Sequence, residues 1–277
     1  MQCRHNLSII LVDKPTSRTP ARTALNDYHK FTIINPNWCN ILAQFHQTNA
    51  DADMKKIYLI RHGQSEANAG TTVYPNETIP LSRLGSVQAW HLAQWLHTTI
   101  QDVDAVFVSP YLRTQQTAQP YLTKTDLIPS VLPCLQELDM LAFENIASLS
   151  FAEIGALAEK FWQQDNHYRD GENTDSFDDF VKRVQAARQH FEQMADGTYV
   201  MFGHGIWISM LIWQLMHQDD AKVQDKASFA SYKRHLYPNN CAVYLLSIDD
   251  DNHALIGKVY DGSTPPKTAN EPSLHAD

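Results

Sequence analysis

The stretch "YLIRHGQSEANAG" (residues 58–70) decides the fold. A short apolar run ends in an arginine, a histidine and a glycine, with a serine and an asparagine close behind. The run "IYLI" (57–60) reads as a buried strand. Arg61 and His62 then fall just past its carboxyl end, where open α/β sheets bind their ligands.

Other parts of the chain repeat this arrangement. "AVFV" (105–108), "TYVMF" (198–202) and "CAVYLLSI" (241–248) are further candidate strands, and "ALIGKVY" (254–260) can pair with the last across "DDDNH". Helical periodicity fills the gaps. Ala89, Leu92, Ala93, Leu96 and Ile100 share one face of a helix that Ser82 can cap. Phe177, Phe180, Val184, Ala187 and Phe191 share another, with aspartates in the first turn. The apolar stretch "GIWISMLIWQLM" (205–216) is too short to cross a bilayer and reads as a buried helix. Strands alternating with helices indicate an α/β domain with a largely parallel sheet.

Three strands therefore end in residues able to hold an anion: Arg61 and His62, then Ser109 with Arg113 a turn later, then His204. Hydrolysis of a phosphomonoester without a metal needs a nucleophile, positive groups around the phosphoryl oxygens, and an acid for the departing oxygen. Arg61 and Arg113 can make bidentate contacts to phosphate. His204 precedes the helix at 205–216, whose amino end can add backbone donors. His62 can attack when neutral, and two nearby guanidiniums favour that form. "LQELDMLAFEN" (135–145) offers Glu137, Asp139 and Glu144 as the acid, and spacing does not choose among them.

The segments "RHGQSEAN" (61–68), "PLSRLGSVQA" (80–89), "SPYLRTQQTA" (109–118), "LQELDMLAFEN" and "GHG" (203–205) occur in the order found in the histidine phosphatase superfamily. The chain resembles this phosphoglycerate mutase-like group, on its cytoplasmic phosphatase branch, over about residues 55–260. The resemblance implies a three-layer α/β/α sandwich with a mostly parallel central sheet and a phosphohistidine intermediate on His62. It also implies a phosphate pocket of Arg61, Arg113 and His204, with Gln64, Ser65 and Asn68 lining or supporting its rim. Laid on the family's "E-x-x-x-G-x-W-E-G", Glu137 is the acid, Phe143 stands for the tryptophan and Glu144 for the second glutamate. Leu141 and Asn145 replace the glycines. Glu144 and Gly205 complete the expected substrate contacts, and no metal or cofactor is expected.

The net charge of −9 argues against a nucleic-acid partner, since phosphate-backbone binding needs surplus lysine and arginine. Cys3, Cys39, Cys134 and Cys241 are scattered, without zinc spacing, which suits a reduced, cytoplasmic protein with no membrane partner. The expected ligand is a small phosphorylated substrate; the sequence is silent on oligomeric state.

Residues 1–53 read as a poorly ordered extension, although "SIILV" (8–12) could be a strand. Residues 54–261 read as the phosphatase domain and 262–277 as a loose tail. Three other readings fit the sequence less well. A mutase of the "N-E-R-H-Y-G" type is disfavoured because "Q-E-L-D-M-L" lacks its basic residues, and the secreted acid phosphatases carry "RHGxRxP". A silent phospho-ligand-binding protein is disfavoured because all five core residues are present.

Overall fold

A computed structural model gives the fold; it describes residues 54–217 and 219–262, together with the backbone of Ile9–Val12. In chain order these residues form β1 (Ile9–Val12), β2 (Met54–Arg61), α1 (Glu66–Ala69), α2 (Arg83–Thr99), β3 (Ala105–Val108), α3 (Leu112–Thr125) and β4 (Ser130–Val131). There follow α4 (Phe143–Ile146), α5 (Phe151–Gln163), α6 (Phe177–Gln193), β5 (Gly197–Gly203), α7 (Gly205–Met216), α8 (Asp220–Val223), α9 (Lys226–His235), β6 (Val243–Asp249) and β7 (Ala254–Tyr260).

The strands make one sheet in the order β1-β7-β6-β2-β5-β3-β4. From β2 to β4 every pairing is parallel, whereas β6, β7 and β1 continue the sheet antiparallel from the other side of β2. The short β6–β7 connection accounts for the pairing of those two strands, because a tight turn can only return a strand antiparallel. The strand read at 8–12 is present as β1, which covers the outer edge of β7. It joins the sheet from outside the 54–261 domain read in the sequence. The rest of the expected extension, and the tail beyond Gly262, lie outside the described residues.

Strand alternation divides the interior into two cores. Ile57, Leu59, Tyr199 and Met201 face one side, where they meet α6 and α7. Ile60, Val106, Val108, Val200 and Phe202 face the other, against α2 and α3. Layers of helix, sheet and helix result. Helix α7 is buried from Gly205 to Leu215, which is why its sequence is apolar all round. Ser82 caps α2 through the Gly85 amide, as the sequence suggested.

Register brings the site together. Arg61 pairs with Gly203 across β2 and β5, and Val108 pairs with Phe202 across β3 and β5. The residues just past these positions, His62, His204 and Ser109, therefore emerge side by side at one end of the sheet.

The loop after β2 is pressed against the start of α2. The Gly63 Cα approaches so closely that a Cβ there would sit 2.6 Å from the Gly85 carbonyl oxygen. A Cβ on Gly85 would sit 1.9 Å from the carbonyl oxygen of Gln64. Backbone lies directly on backbone, and only glycine at both positions permits it.

Candidate active site

His62 is buried, and its Nδ1 lies 2.7 Å from the Gly63 carbonyl oxygen. A carbonyl only accepts, so Nδ1 carries the proton and Nε2 keeps its lone pair. That lone pair accepts from the Arg113 Nε at 3.3 Å. Burial first, then Arg113 and Arg61, hold the imidazole well below its ordinary pKa, outweighing the carbonyl bond that would raise it. His62 is thus a neutral imidazole with its reactive nitrogen turned towards a guanidinium.

His204 completes the cluster, its ring centroid 5.3 Å from that of His62. Ser109, fully buried, accepts the Tyr111 amide, and its hydroxyl lies 2.8 Å from the His204 Nε2, to which we assign the hydroxyl proton. His204 too is held neutral, by burial and then Arg113, so its remaining proton is on Nδ1. That nitrogen is buried with no hydrogen-bond partner among the described residues, and so is the Arg61 Nε. Two desolvated donors without an acceptor are costly unless an anion completes them.

The other Arg61 nitrogens are committed. Nη1 donates to the Pro238 carbonyl at 2.6 Å and Nη2 to the Asn68 Oδ1 at 3.3 Å, with the guanidinium carbon 4.6 Å from the Tyr237 ring centre. Asn68 also serves the Ser65 capping box of α1 and accepts from Asn240 Nδ2, which donates in addition to the His62 carbonyl. Ser65, Asn68 and Asn240 therefore fix the loop that carries Arg61 and His62. Gln64 points elsewhere: its side-chain oxygen accepts from Ser82 at 2.7 Å, tying the loop to α2.

Arg113 spreads its fork over a residue that the sequence did not single out. Its Nη1 donates to the Asn76 carbonyl at 2.6 Å and its Nη2 to the Asn76 Oδ1 at 3.0 Å. Asn76 in turn donates from Nδ2 to Asp139 at 3.0 Å. The loop "YPNET" (74–78) has no periodic pattern, so nothing local announced this role. Tyr237 was likewise missed, although it opens "YPNNCAVY" beside Asn240.

The three carboxyl candidates now separate. Glu137 is buried at the amino end of α7, where Oε2 accepts from Ile206 N at 2.9 Å and Oε1 from Trp207 N at 2.9 Å and Leu138 N at 3.0 Å. This corrects one expectation: these helix-end amides serve the glutamate and are not free for phosphate, because a carboxylate on the same chain reaches them first. Burial pushes Glu137 above its ordinary pKa, against the pull of those amides and of the two arginines. Arg183 fixes its backbone, donating to the Glu137 carbonyl at 3.2 Å while pairing with Asp175. Asp139 is tied to Asn76, and Glu144 is exposed at the rim.

A cavity of about 430 Å³ opens in front of His62, and Ser65, Asn68, Arg113, Glu137 and Glu144 share its wall. Gly205 does not line it. Its missing side chain makes room for a Tyr237 ring that a Cβ would approach to 2.7 Å, and for the Arg61 Nε at 3.0 Å. Of the aromatics in the region 143–168, Phe143 reaches the cavity while Phe161 and Trp162 are core. Asn145, standing where the family pattern has glycine, donates to Asp170 at 2.8 Å and so anchors α4.

Two guanidiniums, two neutral imidazoles and a buried carboxyl group thus meet where three parallel strands end. The sequence model of the histidine phosphatase superfamily (branch 1) matches residues 57–257, and the chain belongs to that superfamily. The chain is 29% identical over 169 residues to the protein named "Probable phosphoglycerate mutase GpmB" of Enterobacter sp. (strain 638), covering 57% of this chain and 74% of the relative. Among solved structures it is similar to a mycobacterial glucosyl-3-phosphoglycerate phosphatase, with TM-score 0.56 and 21% identity over 76% of this chain and 100% of that one. It is also similar to a phosphoserine phosphatase of Entamoeba histolytica in complex with 3-phosphoglyceric acid, with TM-score 0.54 and 21% identity over 73% of this chain and 94% of that one. At these identities the structural likeness is one of fold.

Proposed function

We propose that the protein is a metal-independent phosphatase that hydrolyses a small phosphomonoester through a phosphohistidine on His62. One observation carries the reading: the His62 Nε2 lone pair faces Arg113 while Nδ1–H is held by the Gly63 carbonyl.

In the first step Nε2 attacks phosphorus and the P–O bond to the alcohol breaks. Arg113, the Arg61 Nε and the His204 Nδ1–H receive the charge on the phosphoryl oxygens. Glu137, protonated, gives its proton to the departing oxygen, and the new phosphoimidazolium keeps its Nδ1–H on Gly63. In the second step the Glu137 carboxylate takes a proton from water as that water attacks phosphorus. The P–N bond breaks, inorganic phosphate leaves, and Glu137 is protonated again.

The test is rapid acid and base quench with labelled substrate in the presence of EDTA. A base-stable, acid-labile phosphoprotein should form in the native chain and vanish in His62→Ala; full activity in His62→Ala overturns the proposal.

A mutase reading is suggested by the name of the Enterobacter relative. In that case the phosphoryl group would return to a sugar acid. Incubation with 3-phosphoglycerate separates the readings: hydrolysis releases phosphate, and mutation yields the isomer.

A further inference from the structure

The cavity extends well beyond the phosphate end, and its charge is unevenly spread. Among the described residues Arg113 is the only lysine or arginine in the lining, and it lies beside the nucleophile. The same wall carries Glu77, Asp139 and Glu144. Asp139 is half-buried, and burial pushes its carboxyl up to about 6, which leaves it largely ionised at neutral pH. Much of the remaining wall is apolar, including Met140, Leu141, Phe143, Ile146 and Ile154.

These features act on the alcohol half of the substrate. A second anionic group there would leave water without gaining a cation and would face three carboxylates. An apolar body would instead exchange water for contact with Met140, Phe143 and Ile154. Building on the phosphatase reading above, we infer that the site selects monophosphates whose alcohol is uncharged and largely apolar, and rejects phosphorylated sugar acids and bisphosphates.

Two matched pairs of esters test this with the full-length protein. Glycerol 3-phosphate and 3-phosphoglycerate differ chiefly by a carboxylate, and we expect kcat/KM about 30-fold higher for the former. Ethyl phosphate and 2-phenylethyl phosphate differ by an apolar ring, and the ring should raise kcat/KM by about 30-fold. Glu144→Lys should narrow the first ratio by about 10-fold while leaving the second in place. Equal turnover within either pair, or a first ratio indifferent to Glu144→Lys, overturns the inference.

If no ester, p-nitrophenyl phosphate included, is hydrolysed, the phosphatase reading fails by itself. The selectivity is then read by calorimetry on the same pairs. Tighter binding of glycerol 3-phosphate and of 2-phenylethyl phosphate supports it, and equal or reversed affinities overturn it.

Discussion

The Nε of Arg113 donates to the Nε2 of His62 across 3.3 Å, so the atom that would attack phosphorus and a cation that would hold it are already in contact. An arriving phosphoryl group must take over that donor. The same contact helps to keep the imidazole neutral.

Arg113→Lys therefore tests positioning and charge separately. Lysine keeps the charge but loses the fork that grips Asn76. We expect kcat/KM to fall by about 10²–10³-fold in steady-state assays. Arg113→Ala removes the charge too, and an NMR titration should then show the His62 pKa moving up.

The two shifted groups set the pH profile. A base whose pKa lies below its usual 6.5 stays deprotonated as pH falls, so His62 keeps its activity well into the acid range. An acid whose pKa is raised above 4.5 stays protonated further up the scale, and activity falls as pH rises through that raised value. The optimum of kcat/KM should thus lie between the lowered pKa of His62 and the raised pKa of Glu137. With p-nitrophenyl phosphate, whose leaving group needs no proton, that alkaline fall in kcat/KM should be absent already in the native chain, and Glu137→Gln should change kcat/KM little. For alkyl phosphates the same variant should lose about 10²–10⁴-fold.

Ser109 acts through His204. Ser109→Ala leaves the His204 Nε2 without its donor and frees the ring to change tautomer. We expect kcat/KM to drop by about 10-fold, with a modest loss of stability of about 1 kcal/mol. Nitrogen NMR of the His204 ring should show the Nδ1–H tautomer in the native chain and a mixture in the variant. An unchanged tautomer would refute the assignment.

Gly205→Ala probes the packing of Arg61. The added methyl meets the Tyr237 ring, a half-exposed side chain able to swing outward, and the Arg61 Nε. Thermal unfolding should therefore shift by only a few degrees while activity falls by more than about 10-fold, because a misplaced donor costs rate more than stability.

Much of this was legible in the sequence because burial leaves a periodic trace. The apolar runs at 105–108, 254–260 and 205–216 coincide with their elements to the residue, and the run at 57–60 lies within Met54–Arg61. Arg61, His62, Arg113 and His204 come together because each follows an apolar strand, and that signal is local. β4 left no such trace: it is two exposed residues. The sequence pattern suggested a largely parallel sheet, and the antiparallel pairing of β6 with β2 had no local signature. Asn76 was hidden for a related reason, since its importance lies in a partner far along the chain. In the sequence the helix-end amides look free for phosphate, because nothing local shows that Glu137 occupies them.

The glycine pair at 63 and 85 has a consequence for how such a chain can diverge. Where two main chains touch with no side chain between them, neither can drift alone, since no rotamer change relieves a clash of carbonyl against methyl. A descendant that lost Gly85 would have to rebuild the nucleophile loop at the same time. "RLGSV" and "RHGQS" are therefore a single structural unit written in two places.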